Sequence, residues 1–381
     1  MTKFFFFLIA ATCIGLVAFA FVPPQSPFYP RGSTILGVAT PSKSYQVIGF
    51  LPYWNLNKVT LDSLTHLTTL TYFALQLDSQ GHLVTNINKR ESEPGWNGFK
   101  KFTADPRFSS SSKTLSIQML DNDAIDSLLA KSNSRQTAIN TILDLINTYS
   151  LKGINIDFEP SGDISSSTRD NFTLFVKELK EQLPARQKNF LELSVDIYPT
   201  LINKQRLWDL ESLSSYLSYF VVMGYDYHYR GSDNSGPVAP LRGATEFFND
   251  DLVTNLGEIS RHVPPSKIVL GIPFYGYRWA TTTNEKYSAT IGRGITASLD
   301  DVGSIIAASP ESVRWDRDSF TPYIVLEQNN KISQIYFEND LSIGLKLDLV
   351  TSSNYQGIAI WALGYEGNTH SLWETIDKKL H

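Results

Sequence analysis

At 381 residues the chain is longer than one average domain, yet it stays within the range of α/β barrels that carry insertions, and it can bury a large core. A net charge of -5 argues against a nucleic-acid partner, which would call for a basic excess or basic clusters. Aromatic residues make up 12%, with 18 Tyr and 7 Trp, which suits rings that stack on flat ligands but also a large core.

The chain opens MTKFFFFLIAATCIGLVAFAFVPPQS. Lys3 supplies a short positive region, Phe4 to Phe21 an apolar run of about one membrane thickness, and Ala18-Phe19-Ala20 a small-x-small cleavage site. Residues 1–21 therefore read as a cleaved signal peptide or as an uncleaved membrane anchor. Under either reading the remainder is secreted or extracytoplasmic. Cys13, the only cysteine, lies inside that run, so the exported part has neither disulfide nor thiol chemistry. Residues 22–44 are rich in Pro, Ser and Gly, have no sustained period, and read as a linker.

From Tyr45 onward, short apolar runs alternate with helical stretches. Strand candidates are Gln46–Trp54, His66–Leu75, Lys113–Leu120, Gly153–Glu159, Leu191–Tyr198, Ser218–Asp226, Lys267–Gly276 and Gly357–Gly364. Amphipathic helices lie between several of them, such as STRDNFTLFVKELKEQL after the fourth strand. Eight β-then-α units rich in Val, Ile and Leu predict a closed (β/α)8 TIM barrel of the α/β class over residues 45–381. A doubly wound open sheet is the rival, but no Gly-rich phosphate turn follows the first strand. The interval from about 277 to 353 is too long for one helix. It holds strand-like PYIVLEQ and KISQIYFE around a hairpin turn, so a small α+β insertion between strands seven and eight is expected.

The fourth strand, GINIDFE, carries the chemistry. Side chains alternate along a strand, so Asn155, Asp157 and Glu159 share one face while Ile154, Ile156 and Phe158 share the other. In a barrel the polar set faces the interior, and Glu159 comes last, at the C-terminal mouth where such barrels carry their active sites. Asp157 stands one step deeper, roughly 6–7 Å along the strand. Two carboxylates that close and partly dehydrated cannot both ionise cheaply, and a carboxylic acid kept protonated is what cleavage of a glycosidic bond needs. A buried ionic network that fixes barrel geometry is the structural alternative. A metal site would need further ligands, and His66, His228 and His262 are scattered without ligand spacing.

With these residues in view, GINIDFE, the sixth-strand MGYD and the eighth-strand IAIWALG resemble family 18 glycoside hydrolases, the chitinase-type barrels, from about Gln46 to the C-terminus. That family's fourth strand reads D-G-x-D-x-D-x-E. The resemblance puts Glu159 on the catalytic acid, Asp157 on the last aspartate, Asn155 on the middle aspartate and Lys152 on the first, so the chain departs at Asn155 and Lys152. It implies a retaining, substrate-assisted mechanism in which the sugar's own 2-acetamido oxygen attacks, with Asp157 orienting that group. It also implies that Tyr225 bonds the acetamido group, that Asp226 contacts the sugar beside Met223, and that Trp361 floors the subsite. Tyr53, Phe73 and Tyr275 are expected as part of a group lining the groove, together with Trp54, Tyr277, Arg278 and Trp279. The third strand departs as well: the family's S-x-G-G stands here as Ser116 to Met119, SIQM, with bulk in place of both glycines.

Within the family, VRWDRDSFTPYIV, IYFENDLSIGLKLDLV and GIAIWALGYEG look most like the bacterial spore-cortex and peptidoglycan N-acetylglucosaminidase branch. The expected partner is thus an N-acetylglucosamine-containing polysaccharide, chitin or peptidoglycan. A monomer without cofactor or metal is expected. A lectin-like barrel that binds glycan without cutting it is the alternative from another class.

Overall fold

The computed structural model describes residues 44–381 except 184–190, 201–205, 244–247, 249 and 368–369. The signal or anchor at 1–21 lies outside the described residues, as does the linker at 22–44 apart from Ser44.

Seven parallel strands come first: β1 (Gln46–Pro52), β2 (Thr69–Gln76), β3 (Lys113–Met119), β4 (Gly153–Phe158), β5 (Glu192–Ile197), β6 (Tyr219–Val222) and β7 (Ile268–Pro273). An inserted antiparallel sheet follows, made of β8 (Tyr275–Thr281), β9 (Ile295–Ser298), β10 (Val313–Asp316), β11 (Thr321–Gln328) and β12 (Lys331–Tyr336), before β13 (Gly357–Trp361) completes the barrel. The barrel closes in the order β1–β13–β7–β6–β5–β4–β3–β2, and the inserted sheet runs β9–β8–β12–β11–β10. Seven of the eight runs singled out in the sequence contain a whole barrel strand, and the second, His66–Leu75, holds all of β2 except its last residue, Gln76. The strands are shorter than those runs, because the mouth residues leave the ladder: Tyr53 and Trp54 enter a 3-10 turn, and the sixth strand stops at Val222, before Asp226.

The β4 region shows why these residues fold this way. Ile154, Ile156 and Phe158 are fully buried, and the Phe158 ring packs on Phe172 and Phe175 at 5.8 and 5.9 Å between centroids. Those rings belong to the helix Ser166–Gln182, started by Ser165, whose hydroxyl accepts from the Thr168 N–H at 3.1 Å. Phe172, Phe175, Val176 and Leu179 recur at helical spacing and form its buried face. Each such phenyl ring contributes about 1.5–3 kcal/mol by leaving water.

The barrel interior is divided by polarity. Ser116 and Gln118 on β3, Asn155 and Asp157 on β4, and Ser194 and Asp196 on β5 face one another, in a register that pairs Ser116 with Asn155, Gln118 with Asp157 and Asn155 with Ser194. Across from them Ile48, Phe50, Phe73, Val221, Val269 and Ala359 form an apolar cluster. Polar groups thus gather at the third to fifth strands, and the remaining strands brace them.

The inserted sheet has its own aromatic core of Tyr275, Tyr277, Trp279, Tyr287, Tyr323 and Tyr336. Its hairpin turns at Asn329 and Asn330, both with positive φ (50° and 59°), the conformation that a two-residue type I′ turn demands. The sheet therefore occupies 275–336. The helix Asp340–Ser352 that follows packs on the last helix, His370–Leu380, and leads into β13. No helix of the described residues is long and apolar enough to cross a membrane.

Candidate active site

Two cavities open at the C-terminal mouth of the barrel, one of about 650 Å³ and one of about 470 Å³. Glu159, Met223, Tyr225 and Asp226 line both. Glu159 stands one residue beyond β4, held by its N–H to the Met119 carbonyl at 2.9 Å, and its carboxyl forms part of the boundary between the cavities.

The carboxyls of Glu159 and Asp157 stand side by side and each shifts the other's pKa, and the Tyr198 hydroxyl lies close enough to favour the ionised form of Glu159. Asp157 is 1% exposed, and its Oδ2 accepts from Gln118 Nε2 at 2.9 Å. Gln118 therefore uses the space that the resemblance leaves to glycine: its amide reaches across from β3 to fix Asp157. Burial raises the pKa of Glu159, the neighbouring Asp157 carboxyl and Tyr198 hydroxyl oppose that rise, and the Asp226 charge adds to it. Burial first, then the charges of Glu159 and Asp196, drive Asp157 well above the usual carboxylate range. Two buried carboxyls this close do not both ionise cheaply, and this environment favours keeping a proton on one of them toward neutral pH.

Asn155 sits deeper and lines neither cavity. Its Nδ2 donates to Asp196 Oδ1 at 2.7 Å and to Ser194 Oγ at 3.2 Å, so the amide is turned toward β5. Tyr225 packs edge-on to Tyr275, in a seat made possible by Gly271, where a Cβ would meet the Val222 carbonyl at 2.7 Å and the Tyr225 ring at 3.0 Å. Burial pushes the Tyr225 phenol well up, which keeps it a neutral donor. Asp226 (φ 59°) accepts from the Tyr275 hydroxyl at 2.5 Å and the Tyr277 hydroxyl at 3.0 Å. Tyr275 thus lines the groove with its hydroxyl committed to Asp226, and the first strand of the insertion fixes that residue.

The smaller cavity has an aromatic wall. Trp361 meets Phe73 at 4.6 Å and Phe50 at 6.2 Å, and Trp54 stands over it at 6.4 Å, with Trp54 Nε1 donating to the Tyr365 hydroxyl at 3.1 Å. Tyr53 lies edge-on to Trp54 at 4.8 Å and lines the same cavity. The peptide bonds Phe73–Ala74 and Trp361–Ala362 are cis. Arg278 does not join this groove; it lines a separate depression on the insertion with Arg293 and Lys331. Trp279 is buried in the insertion core.

Asp196, Tyr198 and Gln118 join the site without having been singled out in the sequence. The signal for two of them was present: LSVDIY alternates Ser194, Asp196 and Tyr198 against Leu193, Val195 and Ile197, the same pattern as GINIDFE one strand earlier. The histidines weighed for a metal are apart: His66 bonds Asp377, His262 bonds Glu211, and His228 bonds the Pro237 carbonyl. Among the described residues no three His, Cys, Asp or Glu groups meet as a metal cluster.

A cortical fragment-lytic enzyme of Bacillus subtilis is 23% identical over 323 residues, covering 81% of this chain and 68% of its own. In structure, the GH18 chitinase of Cycas revoluta in complex with (GlcNAc)3 superposes with a TM-score of 0.74 at 18% identity, covering 88% of this chain and all of its own (100%). The spore cortex-lytic enzyme SleL of Bacillus cereus gives a TM-score of 0.69 at 18% identity, covering 91% of this chain and 79% of its own. The model of the family described as glycosyl hydrolases family 18 matches residues 46–366, most of the chain, so this protein belongs to that family and is a glycosidase.

Proposed function

We propose that the protein is a retaining hydrolase of β-linked N-acetylglucosamine glycans, with Glu159 as acid and base and the substrate's 2-acetamido group as nucleophile. The observation that carries this reading is Glu159 itself: a carboxyl with a raised pKa lining two cavities, beside a second, deeply buried carboxyl.

The steps are those that the family resemblance implies, fitted to these residues. A glycan laid across both cavities has its scissile oxygen at Glu159, one sugar against the Trp361 wall and the leaving part on the Tyr198 side. Glu159 gives its proton to the glycosidic oxygen, and the C1–O bond breaks as the acetamido oxygen closes on C1. The leaving sugar departs as an alcohol and an oxazolinium ion remains. Asp157 accepts the acetamido N–H and balances the positive charge, while Tyr225 donates to the acetamido oxygen. Water then attacks C1, Glu159 takes its proton, and the ring reopens with the original configuration.

Relatives named for chitin and for spore cortex support either neutral chitin or peptidoglycan as the polymer. The apolar run at 4–21 supports an extracytoplasmic location, with or without membrane anchoring. Incubation of the wild type and Glu159→Gln with chitin oligomers and with purified peptidoglycan, followed by mass spectrometry, tests the proposal. Release of N-acetylglucosamine-terminated fragments by the wild type alone is expected, and the polymer that is cut names the substrate. Equal binding with no release by either protein would favour the lectin-like barrel.

A further inference from the structure

We propose that Asp196 is a positioning residue for the Asp157–Glu159 pair: β5 supplies the buried carboxyl that Asn155 does not supply on β4. The inference rests on the roles given above to Glu159 and Asp157.

Three observations lead to it. Asp196 is 3% exposed yet lines the same 470 Å³ cavity as Asp157 and Glu159, whereas Asn155 does not reach that cavity. The Asn155 amide donates to Asp196 at 2.7 Å, a bond that ties the two strands together directly beneath Asp157. The described lining of the cavity holds five carboxyl groups, Glu93, Asp157, Glu159, Asp196 and Asp226, and no Lys or Arg.

A dehydrated pocket with excess carboxyls and no cation retains protons, and it attracts any positive charge that develops inside it. The titratable groups facing Asp196 are Asp157 and Glu159 on β4 and at its end, with Tyr219 and Tyr225 on β6 and at its end. None of them brings a positive charge. Burial drives Asp196 well above the usual carboxylate range, the Asn155 bond opposing and the Glu159 charge reinforcing it, and the Asp196 charge in turn raises Asp157. Asp157 Oδ1 and Asn155 Oδ1 are buried without an N–H or O–H donor among the described residues, a shortage that protonated carboxyls relieve. Asn155 cannot titrate, so the third titratable carboxyl of the cluster is Asp196.

The test compares wild type, Asp196→Asn and the exchange Asn155→Asp/Asp196→Asn on a chitooligosaccharide across pH. Asp196→Asn is expected to lower kcat about 10- to 100-fold with KM within about two-fold, the pattern of an interaction made in the transition state. Its alkaline limb should move to lower pH, because a negative neighbour that raises the pair has gone. The exchange, which restores an amide–carboxyl pair in reverse order, should recover most of the loss. A folded Asp196→Asn with wild-type kcat and pH profile overturns the proposal. So does an exchange variant no more active than Asp196→Asn.

If the wild type and Glu159→Gln both release nothing, the hydrolase reading fails on its own, and thermal unfolding then judges Asp196. A carboxyl whose folded pKa is raised stabilises the fold at low pH and loses that contribution as pH rises through the folded value. The stability of the wild type relative to Asp196→Asn should therefore fall from acid to neutral pH, and a pH-independent difference removes Asp196 from this role.

Discussion

Replacing Tyr198 with Phe removes one hydroxyl from Glu159 and leaves the ring where it is. The ring stays because Trp208 packs against it edge-on at 5.2 Å and the Arg206 guanidinium lies over it at 5.1 Å. The hydroxyl favours the ionised form of Glu159 and so holds its pKa down against burial. A hydrogen bond to a charged group contributes about 1.5–3 kcal/mol. If about half of that difference is expressed in the proton-transfer transition state, the weaker acid lowers the plateau kcat by about three- to twelve-fold. The alkaline limb of the pH–rate profile should move the other way on the pH axis, to higher pH, because Glu159 keeps its proton longer. Initial rates on a chromogenic chitobioside across pH, with thermal unfolding as a control for the fold, measure both effects. A limb that moves to lower pH, or an unchanged profile in a folded variant, would refute the assignment of Glu159 as the titrating acid.

Asp226→Asn should give the opposite displacement, since its charge raises Glu159: the alkaline limb moves to lower pH, measured in the same assay. Trp361→Ala removes the wall of the smaller cavity and should raise KM for oligosaccharides about ten-fold or more, with a smaller change in kcat. Phe172→Ala empties a fully buried position against Phe158 and should destabilise the fold by about 3–5 kcal/mol, seen as a lower denaturant midpoint.

The barrel was legible because its strands are apolar runs rich in Val, Ile and Leu, and Ile154, Ile156 and Phe158 alternate with an amide and two acids that face inward. The facing of Glu159 into a cleft followed from the same alternation. The partner that Asn155 meets was not legible, because a side chain's neighbour across a ladder depends on register, and the register pairing Asn155 with Ser194 is set by the barrel as a whole. Gln118 was noticed only as bulk in place of glycine; its bond to Asp157 needs the β3–β4 register. The end of the insertion was hidden for a different reason. The helix Asp340–Ser352 buries Ile343, Gly344, Lys346, Leu347, Leu349 and Val350, residues from more than one face, so it lacks a clean polar stripe. Lys346 is tolerated there only because it bonds the equally buried Glu338 at 2.6 Å.

Proton NMR of the sugar released in the first minutes of hydrolysis reads the anomeric configuration before mutarotation erases it. Attack by the substrate's own acetamido group with Glu159 as acid and base predicts that the β-anomer appears first. First appearance of the α-anomer would mean direct displacement by water and would contradict the account.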